Sequence, residues 1–191
     1  MDYTNIINLN RGRWLDCEID PHKHSQAHTV AVRLTASAAK AEYLKIAAAT
    51  NVPWWVIAVI HEREAGQSWA RSLAQGDWWS SVSIHVPKGR GPFKSFYDAA
   101  IDSLTLCPPY ASRWTDWSAG GALTLLELYN GLGYELYHHE ASPYIWAATN
   151  HQEWGKYTAD GFWSAHVWDS QLGCAALLKA MMEIDPSIAL T

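Results

Sequence analysis

Val52 to Ile60 is the most apolar stretch of the chain, and it stops abruptly on His61-Glu62-Arg63-Glu64. Its punctuation is that of a helix. Thr50-Asn51 offers an N-cap, Pro53 falls in the first turn, where a missing N–H costs nothing, and Gly66 follows as a stop. The spacing therefore predicts a helix ending near Ala65. The stretch is too short to cross a bilayer, and no run of about 18 apolar residues occurs anywhere, so no membrane span is expected.

On such a helix Ile57, Ile60 or His61, and Glu64 share one face. That face carries a carboxyl to the point where an apolar stripe meets the helix end. Desolvation there disfavours the charged form. A carboxyl kept protonated is a proton donor, which is what cleavage of a glycosidic bond requires. Glu62 competes for the role on a face shared with Trp55, Ala58 and Val59, and periodicity does not choose between the two. Glu62, Arg63 and Glu64 as an ordinary solvated helix end also stays open. His61-Glu62 begins like a zinc-protease helix, but position 65 is alanine and the second ligand is missing. His138-His139-Glu140 and the group His22, His24 and His28 lack matching partners and read as surface or structural. No metal and no cofactor are expected.

The rest of the 191 residues reads as helices around a small strand region. Residues 1–25 look irregular and polar. Ala27, Val30, Leu34, Ala38, Ala41 and Leu44 repeat at threes and fours, predicting a helix from about Gln26 to Ala49. Gly76-Asp77 reads as a turn, and Val82, Ile84 and Val86 alternate with Ser83 and His85 as a short half-buried strand. Ser95 to Asp98 resembles a capping box and opens a helix through Leu106. Another helix covers Ser118 to Tyr129, with Gly131 and Gly133 ending it. Residues 134–168 are loop-rich and aromatic, and a last helix opens near Asp169. The expected class is α+β, mostly α, with a small β-hairpin wing. Without repeats or a low-complexity linker, residues 1–191 are read as one domain.

Composition narrows the partners. A net charge of -5 without a basic stripe argues against nucleic acid. Cys17, Cys107 and Cys174 are an odd count at unrelated spacings, so they make neither a disulfide framework nor a zinc site. They read as buried thiols. Neither Cys107 nor Cys174 is flanked by a nucleophile motif, which weighs against a cysteine amidase or peptidase. Twelve tryptophans and nine tyrosines stand out. Their flat apolar faces suit sugar rings, although aromatics also dominate ordinary cores. The pairs Trp54-Trp55 and Trp78-Trp79 favour the sugar reading, because adjacent large rings rarely face one core. The N-terminal residues lack a basic start followed by an apolar block, so no secretory signal is expected.

Two segments resemble a known superfamily. Ile57 to Gly66, "IAVIHEREAG", resembles the catalytic helix of goose-type lysozymes and soluble lytic transglycosylases. Aligning Arg63-Glu64-Ala65 with that pattern implies that Glu64, rather than Glu62, is the general acid. Leu128-Tyr129-Asn130-Gly131-Leu132-Gly133 resembles the Tyr-Asn-x-Gly segment that lines the sugar cleft of the same superfamily. With Ser142 to Trp146 and Gly155-Lys156-Tyr157, it is similar to phage and prophage lysozyme-family proteins over about residues 50–183. Phage-type lysozymes also carry an Asp on a hairpin after the catalytic Glu and a Thr six residues later. Asp77 and Ser83 are similar in spacing to that pair, although the gap from Glu64 is longer.

The resemblance implies a lysozyme-like fold and a muramidase of the endolysin kind. The substrate would be the β-1,4 bond between N-acetylmuramic acid and N-acetylglucosamine in peptidoglycan glycan strands. Glu64 would protonate the leaving oxygen, Asp77 would orient water or stabilise the oxocarbenium-like state, and Ser83 would hold that water. Tyr129, Asn130, Trp78 and Trp146 would bind sugar, with Trp79 a weaker stacking candidate, and His85 would contact the sugar or Asp77. Attack by the sugar's own 6-hydroxyl would make the chain a lytic transglycosylase instead, and a non-catalytic wall-binding module is the third alternative. The expected protein is a monomer, made in the cytoplasm and acting on the bacterial wall after release.

Overall fold

A helix that is apolar on every side has to be buried on every side, and the Val52–Gly66 segment fulfils that condition. In the computed structural model, helix α4 (Trp54–Ala65) buries every residue from Trp54 to His61. Trp54 and Trp55 are both in the core, which corrects the expectation that an adjacent pair frees one ring for ligand. The structure describes residues 2–159 and 161–190. They are mostly helical, with one two-stranded antiparallel sheet among the described residues. They group into two compact units: a mid-chain unit, Val32–Asp116, and a terminal unit, Met1–Ala31 with Trp117–Thr191.

In the mid-chain unit, α4 packs against α3 (Ser37–Thr50), which also meets α5 (Phe96–Thr105). Each of Val56, Ile57, Val59 and Ile60 is fully buried, contributing about 1.5–3 kcal/mol. Gly66 ends α4 at φ 57°, and the N–H groups of Gly66 and Gln67 close on the carbonyls of Glu62 and His61. Ser95 caps α5 as expected, accepting from the Asp98 N–H at 3.1 Å.

The long helix expected from Gln26 to Ala49 is two helices, α2 (His24–Thr35) and α3, separated by Ala36 at ψ 137°. That single extended residue shifts the phase of the buried face. Beyond it Ala39, Tyr43, Ile46 and Thr50 turn inward, while Leu44 is 47% exposed. Alanine fits either phase, so the apolar spacing ran on through the break.

The predicted strand at Val82–Val86 is absent. Residues 67–94 are irregular apart from an isolated Arg71–Trp78 bridge, and Val82, Ile84 and Val86 are all exposed. The N–H groups of Ile84 and His85 donate to the Asp77 carboxylate rather than to a strand. The alternation was real in sequence, but a side chain satisfied the backbone.

In the terminal unit, residues expected to be irregular form α1 (Thr4–Leu15), which packs on α6 (Ala119–Asn130) through Ile6, Asn10 and Trp14. A polar residue at the centre of that stripe disguised the pattern. Asn10 Nδ2 donates to Glu127 Oε2 at 3.0 Å and to Thr124 Oγ1 at 3.1 Å, all three buried. Ser118 caps α6. The short α7 (Pro143–Trp146) packs on α6 and on α8 (Cys174–Ile184). Helix α8 starts at Gly173, not Asp169; the Asp169 carboxylate instead pairs with Lys156 at 3.1 Å. The hairpin lies here, as β1 (Lys156–Ala159) and β2 (Phe162–Ser164), with Tyr157 opposite Trp163.

Candidate functional site

The polar end of α4 is where the mid-chain unit concentrates its chemistry. Glu62 and Glu64 are both half-buried there. Glu62 Oε2 is paired with the Arg33 guanidinium at 2.8 Å, and the same guanidinium donates to the Gly66 carbonyl at 3.1 Å. Glu62 and Arg33 together fasten the helix end to α2. Glu64 is one turn past His61 on the same face.

The chain then loops back onto this end. The Gly76 N–H donates to the Ser72 carbonyl, the Ser72 N–H to the Asp77 carbonyl, and Arg71 Nη1 to the Gly76 carbonyl at 2.7 Å. Gly76 is buried at φ 68°, and a Cβ there would fall on the Glu64 carbonyl oxygen. Only glycine permits both the left-handed backbone and the close approach. Asp77, the next residue, is thereby carried to the helix end that bears Glu64, although twelve residues separate them in sequence.

Asp77 organises the following loop. Its Oδ2 accepts from the N–H groups of Ile84 (3.0 Å) and His85 (3.1 Å), and its Oδ1 lies 2.7 Å from His85 Nδ1. Burial alone would raise this carboxyl. The hydrogen bonds from the His85 N–H and ring and from the Ile84 N–H outweigh it and hold Asp77 below the usual carboxylate range. The His85 side chain is 67% exposed.

Ser83 does not serve as expected. It is buried, its hydroxyl donates to the Pro87 carbonyl at 2.8 Å, and it accepts from the Arg90 N–H at 2.9 Å. It clasps the loop and is spent on that task. Arg90 in turn pairs with Asp102 on α5. Trp78 is exposed, with the Arg71 guanidinium 5.0 Å from its ring centre, so it keeps a face for a ligand. Trp79 donates its indole N–H to the Trp69 carbonyl.

Behind Glu64 is a cluster that sequence reasoning did not assemble. The buried His61 ring meets Trp69 edge-on at 4.8 Å and lies 4.6 Å from Phe96, while Tyr43 stacks on Trp69 at 5.4 Å. The Tyr43 hydroxyl is 3.0 Å from His61 Nδ1 and accepts from Gln67 Nε2 at 3.0 Å. Burial pushes His61 down to about 4 and raises Tyr43. His61 is thus a neutral packing residue, and its place one turn before Glu64 was the only signal in the sequence.

The remaining predicted residues belong to the terminal unit. Asn130 is the exposed last residue of α6, Tyr129 beside it is half-buried, and Gly131 follows at φ 97°. Trp146 has no exposed surface and packs edge-on against His151. It is a core residue, so its expected stacking on sugar is corrected. An exposed aromatic pair lies elsewhere in this unit, Trp154 and Trp168, whose ring centres are 5.1 Å apart and which are 60% and 41% exposed.

All three thiols are buried. Burial raises Cys17 and Cys107 to about 11, which removes the thiolate that a cysteine nucleophile needs. Among the described residues no cluster of metal-ligating side chains occurs, and no single helix is long and apolar enough to cross a membrane. What the mid-chain site offers is acid–base chemistry: a half-buried carboxyl on a helix end beside a loop holding an Asp–His pair. No family model, curated protein or solved structure matches the chain.

Proposed function

We propose that the chain is a peptidoglycan hydrolase, a muramidase of the endolysin kind, cleaving the β-1,4 bond between N-acetylmuramic acid and N-acetylglucosamine. Glu64 is the acid. It protonates the leaving oxygen as the bond to the anomeric carbon breaks, and a water oxygen bonds to that carbon. The observation that carries this reading is the packing of Gly76 on the Glu64 carbonyl, which brings a second acid–base group to the acid's helix end. Glu62 is committed to its ion pair with Arg33. The resemblance of Ile57–Gly66 to a catalytic helix agrees with Glu64 as the acid. Such an enzyme acts on the wall after release from the cell that makes it, as part of phage-driven lysis or on a phage tail.

Mass spectrometry of purified peptidoglycan after digestion tests the proposal. Hydrolysis yields fragments with a free reducing muramic acid end. Anhydro-muramyl ends would identify a lytic transglycosylase instead. A second reading has one observation in its favour: the exposed Trp154–Trp168 pair suits a module that only holds glycan. Retention on peptidoglycan with no new ends released would select that reading and overturn the hydrolase.

A further inference from the structure

The hydrolase reading leaves open which group takes the proton from the attacking water. Asp77 is the obvious carboxylate, and its surroundings argue against it. A carboxylate offers about four acceptor positions, and three donors already occupy this one: the N–H groups of Ile84 and His85 and the His85 ring. Each of those bonds favours the ionised form and makes Asp77 a weaker base.

The imidazole of His85 is placed differently. A carboxylate oxygen 2.7 Å from Nδ1 fixes the proton on that nitrogen, and the other nitrogen, Nε2, then carries the free lone pair. The ring is mostly exposed, and among the described residues no hydrogen bond engages Nε2. Its backbone N–H is tied to the same carboxylate, so ring and main chain are both held relative to Asp77. Gly76, seated on the Glu64 carbonyl, ties Asp77 to the acid's helix end. An acid, an oriented base and a residue that orients the base are thus linked through the ten residues from Gly76 to His85 and their hydrogen bonds.

Resting on the hydrolase reading, we infer that His85 is the base that activates water and that Asp77 is the residue that positions it. In the step, the water oxygen forms a bond to the anomeric carbon and gives its proton to His85 Nε2. The glycosidic C–O bond breaks, and its electron pair takes the proton of Glu64. Solvent then returns a proton to Glu64 and removes one from His85, so the net reaction consumes one water. Attack from the face opposite the leaving group inverts the configuration, so a β-linked strand releases the α-anomer first.

The test uses the full-length protein, purified peptidoglycan and a soluble glycan fragment whose new reducing ends are followed by NMR. His85→Ala keeps the backbone N–H that anchors the loop, and circular dichroism checks its fold. Its rate is expected to fall by about 100-fold or more, and added imidazole is expected to restore part of it. His85→Gln, polar but without a base, is expected to fall as far. Asp77→Asn should lose activity without rescue by imidazole, because the base is present but misoriented. A purely structural His85 would show no rescue, and that result overturns the inference. So does a first-formed β-anomer, or a folded His85→Ala protein working at the wild-type rate while Glu64→Gln is dead; in those cases the hydrolase reading survives. If the wild-type protein releases no new ends at all, both readings fail together.

Discussion

Replacing Gly76 by alanine probes the contact that joins the two halves of the proposed site, and Gly66→Ala is its internal control. Both glycines have positive φ, 68° and 57°. Each substitution therefore incurs the left-handed strain of a Cβ, about 1 kcal/mol. They differ in what the new atom meets. At Gly66 nothing lies within 4 Å of the Cβ position, whereas at Gly76 the Cβ falls on the Glu64 carbonyl. The Gly76 variant must therefore also push its loop off the helix end, an overpacking cost of about 1–3 kcal/mol. For a chain of this size 1 kcal/mol is about 2–4 °C in melting temperature. Gly66→Ala should lose a few degrees and Gly76→Ala on the order of 10 °C. Thermal unfolding followed by circular dichroism measures both. If the two variants melt together, Gly76 is not packed against Glu64 and the juxtaposition of Asp77 with Glu64 loses its basis.

Two buried titratable groups make opposite predictions about pH. His61 is held neutral, down at about 4, by burial, against about 6.5 in an unfolded chain. Its stability contribution is present above pH 6.5 and is lost as pH falls toward 4, an effect of about 3 kcal/mol at full extent. Urea unfolding of His61→Phe across pH 4–7 should show a flatter profile than wild type; an equally steep one would mean that His61 does not drive it. Glu127 is raised by burial, with Asn10 opposing. Its contribution is present at low pH and is lost as pH rises above the usual carboxylate range. Glu127→Gln, which still accepts from Asn10, should remove that decline, and an unchanged slope toward alkaline pH would refute the assignment.

Where punctuation and apolar runs agreed, the sequence specified the structure. Gly66 ends α4, Ser95 caps α5 and Ser118 caps α6, each through chemistry local to a few residues, whereas Pro53 itself takes the N-cap position of α4 that was expected of Thr50-Asn51, and Asn51 closes α3 instead. Errors arose where the deciding partner is distant. Asn10 interrupts an apolar stripe, and only Thr124 and Glu127, more than a hundred residues away, explain it. Val82, Ile84 and Val86 alternate like a strand, yet Asp77 takes the hydrogen bonds that a strand would need. Ala36 breaks a helix within an alanine-rich sequence that shows no breaker.

The site was legible in the same uneven way. Glu64 stood out through local spacing, and a contact of His85 with Asp77 was one of the two roles open to that histidine. The backbone N–H bonds to Asp77 and the use of Ser83 as a loop clasp depend on turns that no periodicity reports. Trp146 and Trp154 are indistinguishable as letters; one is sealed in the core and the other is open.

The central claim is that Glu64 is the proton donor. Release of reducing ends from purified peptidoglycan by Glu64→Gln and Glu62→Gln, compared side by side, tests it most directly. The amide keeps the shape of each side chain and removes the acid. The account predicts a loss of about 100-fold or more for Glu64→Gln and a rate within about tenfold of wild type for Glu62→Gln, which loses only a partly exposed ion pair. A Glu64→Gln protein that clears peptidoglycan at the wild-type rate would contradict it.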